Sequence, residues 1–352
     1  MKKKTKRFQT FIRVLSLVAG AALFVLVFRD IDFSMTFSLI ANVGYYLMPI
    51  YAVYGVGCLF DTAAWKFILD TPSEKISFAK LLQVHIAGEA MYRFIPAGVV
   101  VGEGVKIFLM TKQSRFSGPE VVSSLAIRKL LVGLSQGFYI GVSVFLGIVL
   151  AQKIGIVQLF SLGSALFVFA VFLSLGIMLS RGSLFTWIFR LLRSIPFIKT
   201  KIENEKLFFE RADIELRDFF LHKKRQGGLA SLLFFGGWLT EMLETYLILV
   251  ALGLKVLPYQ VMVFEPVVSL TRSLAFLIPG GLGVVDSSYL SAFSSAGIAN
   301  VVSAGAAFVI IKRSKELFWI IIGLFLTWLQ GTSVPEETKA QSLPSDIAPE
   351  IV

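Results

Sequence analysis

Residues 272–286 read Arg272-Ser273-Leu274-Ala275-Phe276-Leu277-Ile278-Pro279-Gly280-Gly281-Leu282-Gly283-Val284-Val285-Asp286. A helix cannot pass this run intact, because proline removes a backbone donor and glycine admits left-handed turns. The surrounding stretch, Pro258 to Ile298, is apolar but is interrupted by Glu265, Pro266, Arg272, Pro279, four glycines and Asp286. Neither half therefore reaches the ~18 clean apolar residues that mark a membrane crossing. Two half-helices forming a re-entrant hairpin fit it better than a span. Residues 78–110 read the same way, broken by Glu89, Arg93, Pro96, Gly98, Gly102, Glu103, Gly104 and Lys106.

The two broken stretches superpose at their prolines without a gap. Phe94-Ile95-Pro96-Ala97-Gly98 has Glu103 seven residues after the proline, and Leu277-Ile278-Pro279-Gly280-Gly281 has Asp286 seven after. Each follows an apolar stretch bearing tryptophan and acid, Asp61 and Trp65 in one case, Trp238, Glu241 and Glu244 in the other. Each precedes a long helical stretch opening Val-Val-Ser, at 121–123 and 301–303, with basic pairs Arg128/Lys129 and Lys312/Arg313 at matching depth. The spacing predicts an internal repeat, about 39–150 and about 228–330. Three crossings separate the hairpins, so the two repeats run with opposite topology, the arrangement of secondary transporters.

The rest of the composition places these hairpins in a bilayer. The chain has 352 residues, 56% hydrophobic and 16% charged, against about 25% charged for soluble domains. Crossings are expected at about 14–28, 39–69, 120–150, 156–180, 229–252 and 301–330, with Ser73 or Ser77 capping the helix that begins the first hairpin. The first thirteen residues hold six basic groups and no acid, and segment 181–226 holds eleven basic and six acidic residues with a helical run at 201–221. Basic flanks mark the cytoplasmic side, so both termini and loop 181–226 are expected inside an inner, or plasma, membrane. Residues 1–330 form one integral membrane domain, and 331–352, rich in Pro, Ser and Glu, form a disordered cytoplasmic tail.

Charges at that depth carry the chemistry, since each costs on the order of 2.5–3.5 kcal/mol at a helix centre unless paired or in water. Glu89 and Arg93, four apart, share a helix face as a candidate ion pair, and Glu103 with Lys106 makes a second. The plain alternative is that these are internal salt bridges at a hairpin mouth near the headgroups, where Lys106 can snorkel to the surface. Arg272 has no acid nearer in sequence than Glu265, so it needs a partner from another element or an anionic ligand. Gly280, Gly281 and Gly283 permit a tight turn whose following half-helix would aim free N–H groups at an anion. Arg128, Lys129, Lys312 and Arg313 are candidate phosphate contacts, by bidentate fork for the arginines. No phosphate-binding loop spacing occurs, and two histidines and one cysteine are too few for the usual zinc site. The expectation is therefore no metal, no cofactor, no catalytic residue and no nucleic-acid partner.

Arg93-Phe94-Ile95-Pro96-Ala97-Gly98 with Gly102-Glu103, and Arg272 through Asp286, resemble the membrane domain of the lysylphosphatidylglycerol synthase/flippase family and its stand-alone relatives. Ala97 stands where that family often has Gly, and Asp286 where it often has Glu. The resemblance implies two re-entrant hairpins enclosing a cavity through which polar lipids move between leaflets, without an aminoacyl-transferase domain. The expectation is then an all-α polytopic membrane protein of six crossings and two re-entrant hairpins. It would translocate or bind a lipid with a phosphate or other polar headgroup, held by Arg93 and Arg272, with Glu103 and Asp286 as counter-charges or proton carriers. Two alternatives stand beside it: a small-solute secondary transporter, and a non-catalytic scaffold for a lipid- or glycan-biosynthetic enzyme partner.

Overall fold

The computed structural model describes residues 33–71, 74–94, 98–151, 156–180, 183–195, 202–275, 278, 281, 283–295 and 301–332. All regular structure among them is helical. The order is α1 Phe33–Val43, α2 Leu47–Leu69, α3 Phe78–Phe94, α4 Gly98–Gln113, α5 Gly118–Ala151, α6 Ile156–Ser180, α7 Leu184–Arg193, α8 Lys206–His222, α9 Lys224–Ala251, α10 Pro258–Leu274, α11 Val284–Ser295 and α12 Val301–Thr332. The stretches Ser34–Leu69, Gly118–Leu146 and Lys224–Ala251 are long and apolar enough to cross a membrane. The expected crossing at 14–28, Ser73 and all of the expected tail except 331 and 332 lie outside the described residues.

Both broken stretches are interrupted where their prolines stand. Arm α3 stops at Phe94 and α4 starts at Gly98, while α10 stops at Leu274 and α11 starts at Val284. At 17 and 16 residues, α3 and α4 are each ~25 Å long at 1.5 Å per residue, short of the ~30 Å of hydrocarbon. Ser77 caps α3, its Oγ accepting the Lys80 N–H at 3.5 Å. The two arms of the first hairpin pass at Gly88 and Gly102, where a Cβ on Gly102 would stand 2.6 Å from the Gly88 carbonyl. Only glycine allows that approach. The second hairpin turns on Gly281 and Gly283, with φ of 63° and 78°, left-handed values that glycine adopts without the Cβ clash of other residues.

Among the described residues the interior has two large apolar cores and a small third cluster of Ile140, Val144 and Val168. The first large core gathers Trp65, Leu81, Met110, Leu125, Leu216 and Phe234, and the second Ile248, Val261, Val268, Tyr289, Phe293 and Phe308. Helix α2 packs along α9, α12 packs on α3, and α5 packs on α10. The largest outward side chains are apolar, among them Phe138, Phe145, Leu166, Phe167 and Trp328. That is an outer surface suited to acyl chains, where lipid removes the cost of exposing it.

Segment 181–226 holds one helix the charge pattern anticipates and one it does not. The helical run expected at 201–221 is α8; α7 precedes it, short and amphipathic. An acid fastens the two: Asp213, 4% exposed, accepts the N–H groups of Phe185 and Thr186, both at 2.8 Å, and the Thr186 hydroxyl. A carboxylate at a helix N-terminus satisfies donors that have no partner inside the helix. Replacing Asp213 by Ala should cost about 1.5–3 kcal/mol. Hydrogen exchange checks this: the amides of Phe185 and Thr186 should lose protection while those of α2 and α9 keep theirs.

Candidate functional site

The ionisable residues inside the helices form two clusters that meet at a cavity. In the first, Lys106 of α4 is 1% exposed. It does not snorkel, because the bare Gly88 admits its stem to the inside of the hairpin. Its Nζ donates to Glu89 Oε1 at 2.9 Å and lies 3.4 Å from Glu103 Oε1. Lys129 stands 2.7 Å from the same Glu103 oxygen. Arg128 donates to Asp61 Oδ2 at 3.1 Å and reaches Glu89 and Glu103 at 3.8 and 3.7 Å. His85 Nε2 stands 3.7 Å from Asp61. Three cations thus face three carboxylates.

In the second cluster Arg272 finds its partner on α9: it is bonded to Glu241, and its Nη2 donates to the Tyr289 hydroxyl at 3.2 Å. That hydroxyl donates to Glu265 Oε1 at 2.8 Å and accepts from Lys312 Nζ at 2.7 Å. Lys315 holds Glu244 by both oxygens, at 2.8 and 2.9 Å. Arg313 bonds Asp286 at 2.6 Å and Glu316 at 2.7 Å. Arg93 closes the chain onto Glu316 at 3.2 Å, with Tyr54 against its guanidinium. Arg93 is therefore not paired with Glu89, the candidate that helix spacing offers; Lys106 has taken Glu89, and α12 packed on α3 brings Glu316 nearer. Here five cations face five carboxylates, so each cluster is balanced by its own charges.

Between them lies a cavity of about 250 Å³. Of the residues singled out from sequence, Glu89, Arg93, Arg128, Lys129, Arg272 and Lys312 line it. Glu103, Lys106, Asp286 and Arg313 stand behind that wall as partners of the lining charges. Gly98, Gly281 and Gly283 belong to the hairpin turns, and Pro96, Pro279 and Gly280 lie outside the described residues. The expected anion contact at the second turn has an internal occupant, since the Gly283 N–H donates to Asp286 Oδ2 at 2.9 Å. Lining residues absent from the sequence-based set include Asp61, His85, Glu241, Glu244, Lys315 and Glu316. Each is an ionisable group within an apolar helix, which was the available signal; Asp61, Glu241 and Glu244 served in the sequence only as landmarks of the repeat.

The arrangement can hold a polar or charged group inside an otherwise apolar molecule by exchanging internal ion pairs for contacts with that group. A family profile described as "Lysylphosphatidylglycerol synthase TM region" matches residues 13–323. A UPF0104 membrane protein of Pyrococcus horikoshii is 24% identical over 272 residues, covering 73% of this chain and 79% of that protein. A UPF0104 membrane protein of Methanothermobacter thermautotrophicus is 25% identical over 308 residues, covering 83% and 87%. No solved structure matches.

The Arg93–Glu316 pair ties the first hairpin to the last helix, and its side chains are 17% and 18% exposed. Removing Glu316 strands Arg93, at a cost of about 3 kcal/mol, whereas removing Arg93 leaves Glu316 its bond to Arg313 and costs less. Arg93→Ala and Glu316→Ala should each lower the thermal midpoint in detergent, and the double variant should recover part of the loss. Equal losses that add in the double variant would count against coupling.

Proposed function

The chain belongs to the family of the lysylphosphatidylglycerol synthase transmembrane region, and we propose that it is a flippase-like protein that moves a lipid with an anionic headgroup between leaflets. It is an integral membrane protein, and the observation that carries the proposal is the cavity: about 250 Å³ within a helical membrane protein, walled by arginines and lysines contributed by α3, α5, α10 and α12. Ligand pockets typically run to about 300–1,000 Å³, so this volume suits a headgroup and excludes a whole lipid. The acyl chains then stay among the outward apolar side chains while the headgroup crosses.

The proposed architecture is six crossings with two re-entrant hairpins in opposite topology. Supporting it, the long helix of each half packs on the first hairpin arm of the other, α12 on α3 and α5 on α10, as two-fold related halves would. The residues follow one offset: Asp61 and Glu244, Glu89 and Arg272, Glu103 and Asp286, Lys106 and Tyr289, and Lys129 and Lys312 each stand 183 apart, as do the two prolines. The contacts repeat with them, Glu89 with Lys106 at 2.9 Å and Arg272 with Tyr289 at 3.2 Å. Alternating access follows from such a pair of halves rocking about a shared site. Both termini and segment 181–226 are then cytoplasmic, by the excess of basic residues there.

In this mechanism Arg272 and Arg93 offer the first contacts to a phosphate. Each carries a guanidinium at the cavity wall and can exchange an internal carboxylate for a bidentate phosphate contact. No reaction is required of any residue, which agrees with a transport role.

The test reconstitutes the protein in liposomes with fluorescent phosphatidylglycerol and follows quenching of the outer leaflet. The protein should accelerate exchange, and Arg272→Ala should slow it at least about tenfold, the equivalent of losing roughly 1.4 kcal/mol of differential binding. Arg272→Lys should recover only part, because the fork is lost. Acceleration of no lipid, together with protection of Cys58 in the cavity wall by soluble anions, would favour a small-solute transporter instead.

A further inference from the structure

Glu265 of α10 is an acid that the transport scheme leaves unused. It is 1% exposed and does not line the cavity. Oε1 accepts from the Tyr289 hydroxyl, while Oε2 is buried without a hydrogen bond. The elements around α10 present few titratable groups to it. Helix α9 presents Glu244, already held by Lys315 at 2.8 and 2.9 Å, with Thr245 beside Glu265. Helix α11 presents Tyr289, and α5 presents the Tyr139 hydroxyl, buried and unbonded. Helix α6 carries no titratable residue at all. Helix α12 presents Lys312, whose ammonium lies 3.8 Å from Glu265 and 3.6 Å from Glu244.

Lys312 is thus the cation that compensates Glu265, and it also lines the cavity. The other acids behind the cavity wall hold cations of their own. Glu103 has Lys106, Lys129 and Arg128, and Asp286 has Arg313 and the Gly283 N–H. An anion entering the cavity adds a negative charge to clusters that are already balanced. A buried carboxylate that loses its counter-ion takes up a proton, because the neutral form alone tolerates the low dielectric.

We propose that Lys312 is shared between Glu265 and the anionic occupant of the cavity, so that binding of the anion draws Lys312 away and Glu265 takes up one proton. The proton comes from water and Lys312 remains an ammonium throughout, so the charge of the site is the same before and after binding. A proton gradient can then drive an anionic headgroup across. This assigns the proton to Glu265 rather than to Glu103 or Asp286, and it rests on the anionic-headgroup reading of the cavity.

Two measurements test it. First, purified protein in detergent with a pH dye and little buffer is titrated with dihexanoyl phosphatidylglycerol, with binding counted by calorimetry. About one proton should be taken up per lipid bound, and affinity should rise by up to about tenfold for each unit fall in pH across the titrating range. Glu265→Gln should still bind the lipid but take up no proton. Lipid bound without proton uptake by the unaltered protein, or with uptake unchanged in Glu265→Gln, overturns the coupling.

The second measurement needs no ligand. Lys312→Met removes the counter-ion permanently, while Glu244 keeps Lys315, so the infrared spectrum should gain the C=O stretch of a protonated carboxylic acid. The double variant Lys312→Met/Glu265→Gln should lack it. A Lys312→Met spectrum without that band overturns the proton site. Failure of phosphatidylglycerol to bind, with the band present, overturns the headgroup reading for that lipid and leaves the proton site standing.

Discussion

A charge inside hydrocarbon has to be matched by another charge or by water, and that constraint organises this molecule. Eight cations and eight carboxylates stand in two clusters, each with as many of one as of the other. Their partners come from different helices: Arg128 on α5 needs Asp61 on α2, Lys315 on α12 needs Glu244 on α9, and Arg93 on α3 needs Glu316 on α12. The pairing holds the helices in one arrangement, since sliding any of them strands a charge at a cost of several kcal/mol. Apolar packing fills the cores but does not by itself dictate which helix lies beside which.

The broken hairpins serve the same constraint. A continuous α3–α4 helix would put Glu89 and Lys106 more than four turns apart, whereas the reversal between Phe94 and Gly98 brings them within 2.9 Å. Gly88 makes room for the lysine stem, which a side chain there would displace, and Gly102 lets its arm approach the Gly88 carbonyl. In the second hairpin Tyr289 occupies the place of Lys106 and collects Arg272, Glu265 and Lys312 on one hydroxyl. One half therefore closes its cluster with a fixed cation and the other with a group that both donates and accepts. The half with the hydroxyl is the one in which a lysine can change partners.

Much of the fold was legible because its signals are local. Proline and glycine disfavour helix by backbone chemistry alone, and the described helices end at Phe94 and Leu274 and restart at Gly98 and Val284, on either side of those residues. The candidate site was legible in part: any ionisable residue within an apolar helix is conspicuous, and six of those singled out line the cavity. Helix spacing misdirected the pairing, however. Glu89 and Arg93 lie on one face, but a long side chain chooses among all neighbours within reach, and Lys106 and Glu316 come from elements that sequence spacing cannot locate.

The amino-acid sequence by itself determined that this chain lives in a membrane, where its helices break and which of its apolar stretches carry charges, because composition and backbone stereochemistry act within a few residues. Which charges meet, which of them face the 250 Å³ cavity and which stand behind it was decided only by tertiary structure. An ion pair is a relation between helices tens or hundreds of residues apart, and its partners are set by packing: by α12 lying on α3, α5 on α10, and the bare Gly88 that lets Lys106 lie inside rather than out.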